Sequence, residues 1–325
     1  MTKAFVFGKF LPFHKGHEAM INFALTKCDF LTVLVCCSDK ENISDTIRAG
    51  WIEETFMNYK NVEIRTFNYS ENEFANTSET SKEISAIWAD IFKKQFPGYS
   101  LVITSEPYGD FIAEFMNIQH IAFDTNREKN SVSATLIRKN LFRNWKFLPE
   151  SVKSDFAIKV VLLGTESTGK TTLTKKLSKH YNCSFVFEAA REIIANSNSF
   201  SFEDLHLVAK EHSKLIDQAV LGESPLVIID TDIHITKSYS KFIFGKDLKV
   251  GTDIYNSNKA NLYLYLNNDV EYEQDGTRLS ETERNLLDIS HREVLTANKI
   301  NLIEIHGNWQ ERFEQAVTHI DNFIK

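Results

Sequence analysis

Cysteine is scarce in this chain: four residues in 325, at Cys28, Cys36, Cys37 and Cys183. Their spacing matches no metal-binding pattern, and Cys36 and Cys37 are adjacent inside the apolar run 31–37. Neither a zinc knot nor a disulfide framework is indicated, and the reduced thiols of a cytoplasmic protein are the expectation. Long apolar runs are also missing. Those present are strand-sized, well short of the ~20 residues a membrane helix needs. The first apolar strand is read from Lys3, so a secretory leader is not expected. Basic residues do not exceed acidic ones: 37 Lys and Arg stand against 44 Asp and Glu, a formal charge of −7. That balance argues against a general binder of nucleic acid or anionic membranes and leaves room for local basic pockets. Low-complexity segments and internal repeats are absent. What remains is ordinary globular composition over a length that suits two domains, each with its own core.

Apolar strands alternate with amphipathic helices throughout. The pattern predicts strands at 3–8, 30–37, 62–67, 100–105 and 118–124, with helices at 16–27, 44–59, 79–95, 108–116 and 133–142. After residue 156 it predicts strands at 157–163, 184–188, 225–230, 261–266 and 301–305, with helices at 169–180, 202–220, 280–298 and 308–323. Such alternation implies α/β architecture with parallel, doubly wound sheets and ligands beyond the carboxyl ends of the strands. The pattern lapses around 144–156 and then restarts, so two domains are expected, 1–153 and 154–325. Residues 232–258 are the least regular stretch and read as substrate-facing or mobile.

The first strand runs into Gly8-Lys9-Phe10-Leu11-Pro12-Phe13-His14-Lys15-Gly16-His17, a G-x-F-x-P-x-H-x-G-H pattern. A helix follows. Gly8 suits a sharp turn and close phosphate approach, Pro12 stiffens the loop, and Gly16 opens the helix whose free N–H groups favour an anion. Either histidine alone would read as a cap or a core residue. Six fixed positions at the first strand-to-helix turn read as a nest for a polyphosphate, with Lys9 assisting. A second pattern, S-x-T-x-x-R at Ser133, Thr135 and Arg138, reads as a capped helix start with an arginine on the same face. It is expected to form an anion site at the other end of the same half.

These two patterns resemble the signature of the nucleotidylyltransferase superfamily. Its members join a nucleoside monophosphate from ATP or CTP to a phosphate and release pyrophosphate. The resemblance implies a nucleotidylyltransferase Rossmann-like domain. The attacking phosphate is already an anion, so alignment and charge neutralisation by His14, His17, Arg138 and Mg²⁺ would carry the reaction. Gly8, Lys9, Phe10, Gly16, Ser133 and Thr135 would hold the nucleotide.

Gly164-Thr165-Glu166-Ser167-Thr168-Gly169-Lys170-Thr171 matches G-x-x-x-x-G-K-[ST] between an apolar strand and a helix, the context a phosphate-binding loop requires. Gly164, Ser167, Thr168, Gly169, Thr171 and Thr172 would cradle the nucleotide, and Lys170 would reach its β and γ oxygens. Asp230 ends an apolar strand and joins Thr171 as a candidate Mg²⁺ ligand, with Asp232 two residues on. Glu188, with Arg191 three residues later, is placed to receive a proton from a substrate hydroxyl. Arg278, in Asp275-Gly276-Thr277-Arg278, reads as a lid arginine. A guanine-specific N-K-x-D motif is lacking. The parts imply a P-loop kinase for a small molecule.

Three further stretches, Ser105-Glu106-Pro107-Tyr108-Gly109-Asp110, Arg48 before Trp51, and Asp124 through Arg127, look like the NadR-type nicotinamide mononucleotide adenylyltransferases. The second-half pattern, G-T-E-S-T-G-K-T with E-x-x-R-E, D-T-D and D-G-x-R, resembles the ribosylnicotinamide kinase half of the same family. The resemblance implies two parallel-sheet, three-layer domains and two activities that use ATP and Mg²⁺: riboside to mononucleotide, and mononucleotide to NAD. It places Arg48, Trp88, Tyr108, Asp110, Asp124, Arg127, Arg191 and Asp232 at the substrates. It implies small-molecule partners only, with no nucleic acid and no membrane, and leaves homo-oligomerisation open. Some members carry an N-terminal helix-turn-helix; with the first motif at Gly8, operator binding is not expected. The rival readings are the same reaction types on another nucleoside or vitamin phosphate, and a sensor that binds ATP or NAD.

Overall fold

The computed structural model describes residues 1–74, 81–128, 131–194, 200–270 and 280–325. The chain divides into two compact units, Met1–Asp155 and Phe156–Lys325. Each is built on a five-stranded parallel sheet, the fold class expected from the alternating pattern.

The first unit contains β1 (Lys3–Gly8), β2 (Phe30–Ser38), β3 (Val62–Tyr69), β4 (Leu101–Thr104) and β5 (Gln119–Ala122) in the order β3-β2-β1-β4-β5. The chain order reverses at β1, so a crevice opens beyond its carboxyl end. β1 is central and pairs with β2 through Val6 opposite Val33. Its residues Ala4 to Phe7 are all buried, as a strand covered on both faces must be. Phe5 and Phe7 pack against Trp88 and Phe92 of the helix Lys82–Gln95 and against Phe96, which caps it. Trp88 is therefore core, not a ring-stacking surface for substrate. Only 2% of it is exposed, and its ring meets Tyr69 edge-on at 5.0 Å.

The second unit contains β6 (Ile158–Leu163), β7 (Ser184–Val186), β8 (Leu226–Asp230), β9 (Leu262–Leu266) and β10 (Leu302–Ile305) in the order β10-β9-β6-β8-β7. Val160 of β6 lies opposite both Ile228 and Leu262, so the strand that feeds the phosphate loop is again central.

Several segments depart from expectation. Residues 232–258 are not irregular: they form the helices Ile233–Phe244 and Thr252–Asn258. The first is capped by Asp232, stopped by Gly245 in a left-handed conformation (φ 61°), and buries His234, Thr236, Ser238 and Ser240 along with Ile233 and Ile235. A buried face made of small polar residues leaves no apolar periodicity to read. The lapse at 144–156 likewise hides a short helix, Glu150–Phe156.

Candidate active sites

In the first unit the strand-to-helix turn is made differently from the sequence reading. The left-handed residue is Phe10 (φ 48°), not Gly8, and the Leu11–Pro12 peptide is cis. Gly16 is required for close approach: a Cβ there would lie 3.0 Å from the His14 ring and 3.3 Å from Val132. His14 caps the helix Lys15–Leu25, its Nδ1 accepting from the His17 N–H at 3.3 Å. With Nδ1 engaged as an acceptor, the neutral ring carries its proton on Nε2. The two imidazoles stack with centroids 3.6 Å apart, and Phe10 meets His17 edge-on at 4.9 Å. Burial, with the Arg127 charge second, pushes the His14 pKa down to about 3. Burial, His14 and Arg127 hold His17 well below its ordinary value too. Both rings are thus neutral, and the buried Nδ1 of His17 has no hydrogen-bond partner among the described residues. An anion placed against them would supply one.

The S-x-T-x-x-R element is not at the far end of this half. Ser133 caps the helix Ala134–Lys139. From that helix Arg138 donates to the carbonyl of Leu11 and, at 3.3 Å, to Thr135 Oγ1. The two sequence patterns therefore form one site. Lys9 borders it, paired with Glu41 at 2.7 Å and Glu71 at 3.7 Å. Arg48, expected at the substrate, is instead buried beneath the loop. It bonds Glu41 at 2.7 Å and the Lys9 carbonyl at 3.1 Å. Burial pushes the Glu41 carboxyl up, but bonds from Lys9, the Ser38 N–H and Arg48 outweigh it and hold the group below its usual range. Glu41 joins both cations, and nothing in its sequence surroundings announces that role.

Tyr108 opens the helix Tyr108–Met116 and packs against Phe7, with centroids 5.5 Å apart. Asp110 bonds His120 Nδ1 at 2.7 Å, while His120 Nε2 meets Thr104 Oγ1 at 3.0 Å. Gly109 makes this possible: a Cβ there would sit 2.3 Å from both His120 Nε2 and Thr104 Oγ1. The sequence reading missed His120, a lone histidine on an edge strand. Asp124 and Arg127 are the ends of a tight turn, each with positive φ, and Arg127 pairs with Glu106 at 2.9 Å.

In the second unit the phosphate loop has Gly164, Ser167 and Gly169 at positive φ. Gly164 lies against the Leu266 carbonyl, which a Cβ would approach to 2.6 Å, and Gly169 lies against the Trp309 ring. Lys170 Nζ bridges the carbonyls of Gly164 and Thr165 at 2.8 and 2.9 Å, and Thr168 Oγ1 donates to the Thr165 carbonyl at 2.8 Å. Thr171 and Thr172 begin the helix Lys170–Tyr181, and Thr171 Oγ1 donates to Asp230 Oδ2 at 2.5 Å.

Asp232, expected at the substrate, has its carboxylate engaged inside the fold. It is fully buried, caps the helix Ile233–Phe244, and holds His234 Nδ1 at 2.5 Å. Glu188 lies just past β7, 3.7 Å from Arg191. Burial raises its carboxyl above the ordinary value; Lys170 and Arg191 oppose that shift, while Asp230 and Glu166 add to it. Arg278 lies outside the described residues. Sequence reasoning also missed Arg312. This buried guanidinium bonds the carbonyls of Thr168, Gly307 and Asn267 at 2.9, 2.8 and 2.8 Å and pairs with Asp269. It braces the phosphate loop from 144 residues away.

Two family models match the chain: a citrate lyase ligase C-terminal domain over residues 4–96 and an AAA domain over residues 159–312. The chain thus joins a nucleotidyltransferase-like unit to a P-loop kinase-like unit, two transferases in one polypeptide. Two curated proteins, both described as trifunctional NAD biosynthesis/regulator protein NadR, align along nearly all of it. The one from Escherichia coli strain K12 is 27% identical, covering 97% of this chain and 82% of its own. The one from Salmonella typhimurium strain LT2 is also 27% identical, covering 96% and 81%. The chain is homologous to the NadR proteins. Solved structures of a NadR protein with NR, and with NAD and AMP-PNP, superpose with a TM-score of 0.70 each. They are 20% and 19% identical and cover 99% of this chain and 96% of theirs, a likeness of fold.

Proposed function

We propose that this protein makes NAD in two steps, phosphorylating nicotinamide riboside with ATP in the second unit and adenylylating the resulting mononucleotide in the first. The observation that supports the reading is that each half gathers groups suited to a polyphosphate at the carboxyl end of its central strand. In one they are the His14, His17 and Arg138 cluster; in the other, the phosphate loop with Lys170, Thr171 and Asp230.

In the kinase step a riboside hydroxyl oxygen attacks the γ-phosphorus. The bond from that phosphorus to the β-bridging oxygen breaks, ADP leaves, and the hydroxyl proton passes to Glu188. A carboxyl raised by burial holds a proton more readily than an exposed one, which suits that role. Lys170 neutralises the phosphates. In the adenylyl step a phosphate oxygen of the mononucleotide attacks the α-phosphorus of ATP and pyrophosphate leaves. No base is needed. The Nε2–H of His14, the His17 ring and Arg138 stabilise the charge that moves onto the leaving group.

Thr171 Oγ1 and Asp230 Oδ2 are hard oxygen donors in contact, and no group of three or more metal-binding side chains occurs among the described residues. Such a sparse pair fits Mg²⁺, which keeps several waters and takes phosphate oxygens as further ligands. When bound, the ion would neutralise phosphate charge. The four free thiols suit a reducing, cytoplasmic setting, and no described helix is long and apolar enough to cross a membrane.

Incubation of the full chain with nicotinamide riboside, ATP and Mg²⁺, read by mass, tests the reading. Successive appearance of the mononucleotide and the dinucleotide is expected; unchanged riboside contradicts it.

A further inference from the structure

Among the buried polar atoms near the phosphate loop that have no hydrogen-bond partner within the described residues are Thr165 Oγ1, Oε2 of Glu166 and Nε2 of His291, and the last two converge on one side chain. These two belong to different elements. Glu166 is the third residue of the loop itself. His291 is fully buried in the helix Glu281–Ala297, its Nδ1 held by Ser238 Oγ at 2.8 Å. Tyr239, from the helix Ile233–Phe244, joins them. Its hydroxyl donates to the other Glu166 oxygen at 3.1 Å, and its ring lies 5.4 Å from the His291 ring. The unused positions therefore flank one tyrosine.

A buried polar atom left without a partner is costly, and folded proteins tolerate few of them. A water could fill either position. The surroundings favour a substrate. Glu188 experiences the charges of Lys170, Asp230 and Glu166 together, so the carboxyl proposed to take the acceptor's proton lies in the same neighbourhood. Lys170 also helps hold His291 neutral, after burial, so this ring keeps one donor and one acceptor nitrogen. A carboxylate oxygen accepts, and a neutral imidazole nitrogen either accepts or donates. Both match hydroxyl groups, and the phosphoryl acceptor of the kinase reading carries them on its sugar.

We infer that Glu166 Oε2 and His291 Nε2 bind hydroxyls of the phosphoryl acceptor's sugar, with Tyr239 positioning Glu166, so that the kinase unit selects ribosides over deoxyribosides. The inference rests on the kinase reading above.

The test uses steady-state kinetics of the full chain with nicotinamide riboside and its 2′-deoxy and 3′-deoxy analogues. Glu166→Ala and His291→Phe should each raise KM for the riboside tenfold or more, with KM for ATP moving less than twofold. In the wild type at least one deoxy analogue should react tenfold worse than the riboside, and that penalty should vanish in the variant that lacks the matching partner. Where Glu166→Ala does not fold, Tyr239→Phe removes only the hydroxyl that holds Glu166 and should raise the riboside KM about threefold. A wild type that phosphorylates the riboside, with variants that keep its KM or its full deoxy penalty, overturns the inference alone. A wild type that phosphorylates no riboside overturns the kinase reading and this inference with it.

Discussion

Arg138 donates to the carbonyl of Leu11, 127 positions earlier in the chain. That bond ties the helix Ala134–Lys139 to the loop carrying His14 and His17, and anchors a permanent cation on that loop. Removing the cation should cost much of the adenylyl transfer. Arg138→Met is expected to lower that rate by ~10²–10³, the usual loss when a preorganised charge-stabilising donor is deleted. The kinase rate, assayed separately on the same preparation, should stay within twofold. Near-normal adenylyl transfer in this variant contradicts the site.

Glu188 gives a prediction in which activity and stability move in opposite directions. Its carboxyl is raised by burial, so the folded chain binds more protons than the unfolded one between the ordinary value and the raised one. Stability from this group is therefore present at low pH and is lost as pH rises through that window. Glu188→Gln removes the partly buried charge while keeping the shape. The variant should unfold at the same temperature as wild type or higher at pH 7, with a flatter pH dependence, yet lose ~10²–10⁴ in kinase turnover. Turnover close to wild type would move the proton acceptor to Asp230.

The histidine pair predicts a proton uptake. His14 titrates at about 3 in the fold against 6.5 unperturbed, and His17 is lowered as well. The unfolded chain thus binds more protons across that interval, so stability falls as pH drops from 6.5 toward 3. A triphosphate against these rings favours their charged forms. ATP binding near pH 6 should take up protons, seen as a dependence of calorimetric enthalpy on the buffer's ionisation heat. His14→Asn combined with His17→Asn should abolish that dependence. An enthalpy independent of buffer in the wild type argues against phosphate contact with the pair.

The two phosphate-binding patterns were legible because each is local. A strand, a glycine-bearing turn and a helix start lie within a dozen residues, and their spacing states the geometry. Sheet architecture was legible for a similar reason: strands covered on both faces are continuous apolar runs. Residue type, in contrast, does not say whether a side chain faces a ligand or the interior. Trp88 and Arg48 both suit a nucleotide, yet Trp88 fills the aromatic core and Arg48 anchors Glu41. Asp232 suits a sugar diol equally well, but it caps a helix whose buried face of Ser, Thr and His gave no periodic signal. Arg312, His120 and His291 act through partners that include Thr168, Thr104 and Ser238, distant in sequence, which only the folded chain brings together.

The central claim is that one chain carries two separable transfer sites acting in sequence. The most direct measurement is a crosswise assay of Lys170→Ala and His17→Ala, with product masses followed from riboside and from mononucleotide. Lys170→Ala should leave riboside unphosphorylated yet convert supplied mononucleotide to NAD. His17→Ala should turn riboside into mononucleotide and stop there. If either variant loses both steps while remaining folded, or if His17→Ala still makes NAD at the wild-type rate, the two-site account is wrong.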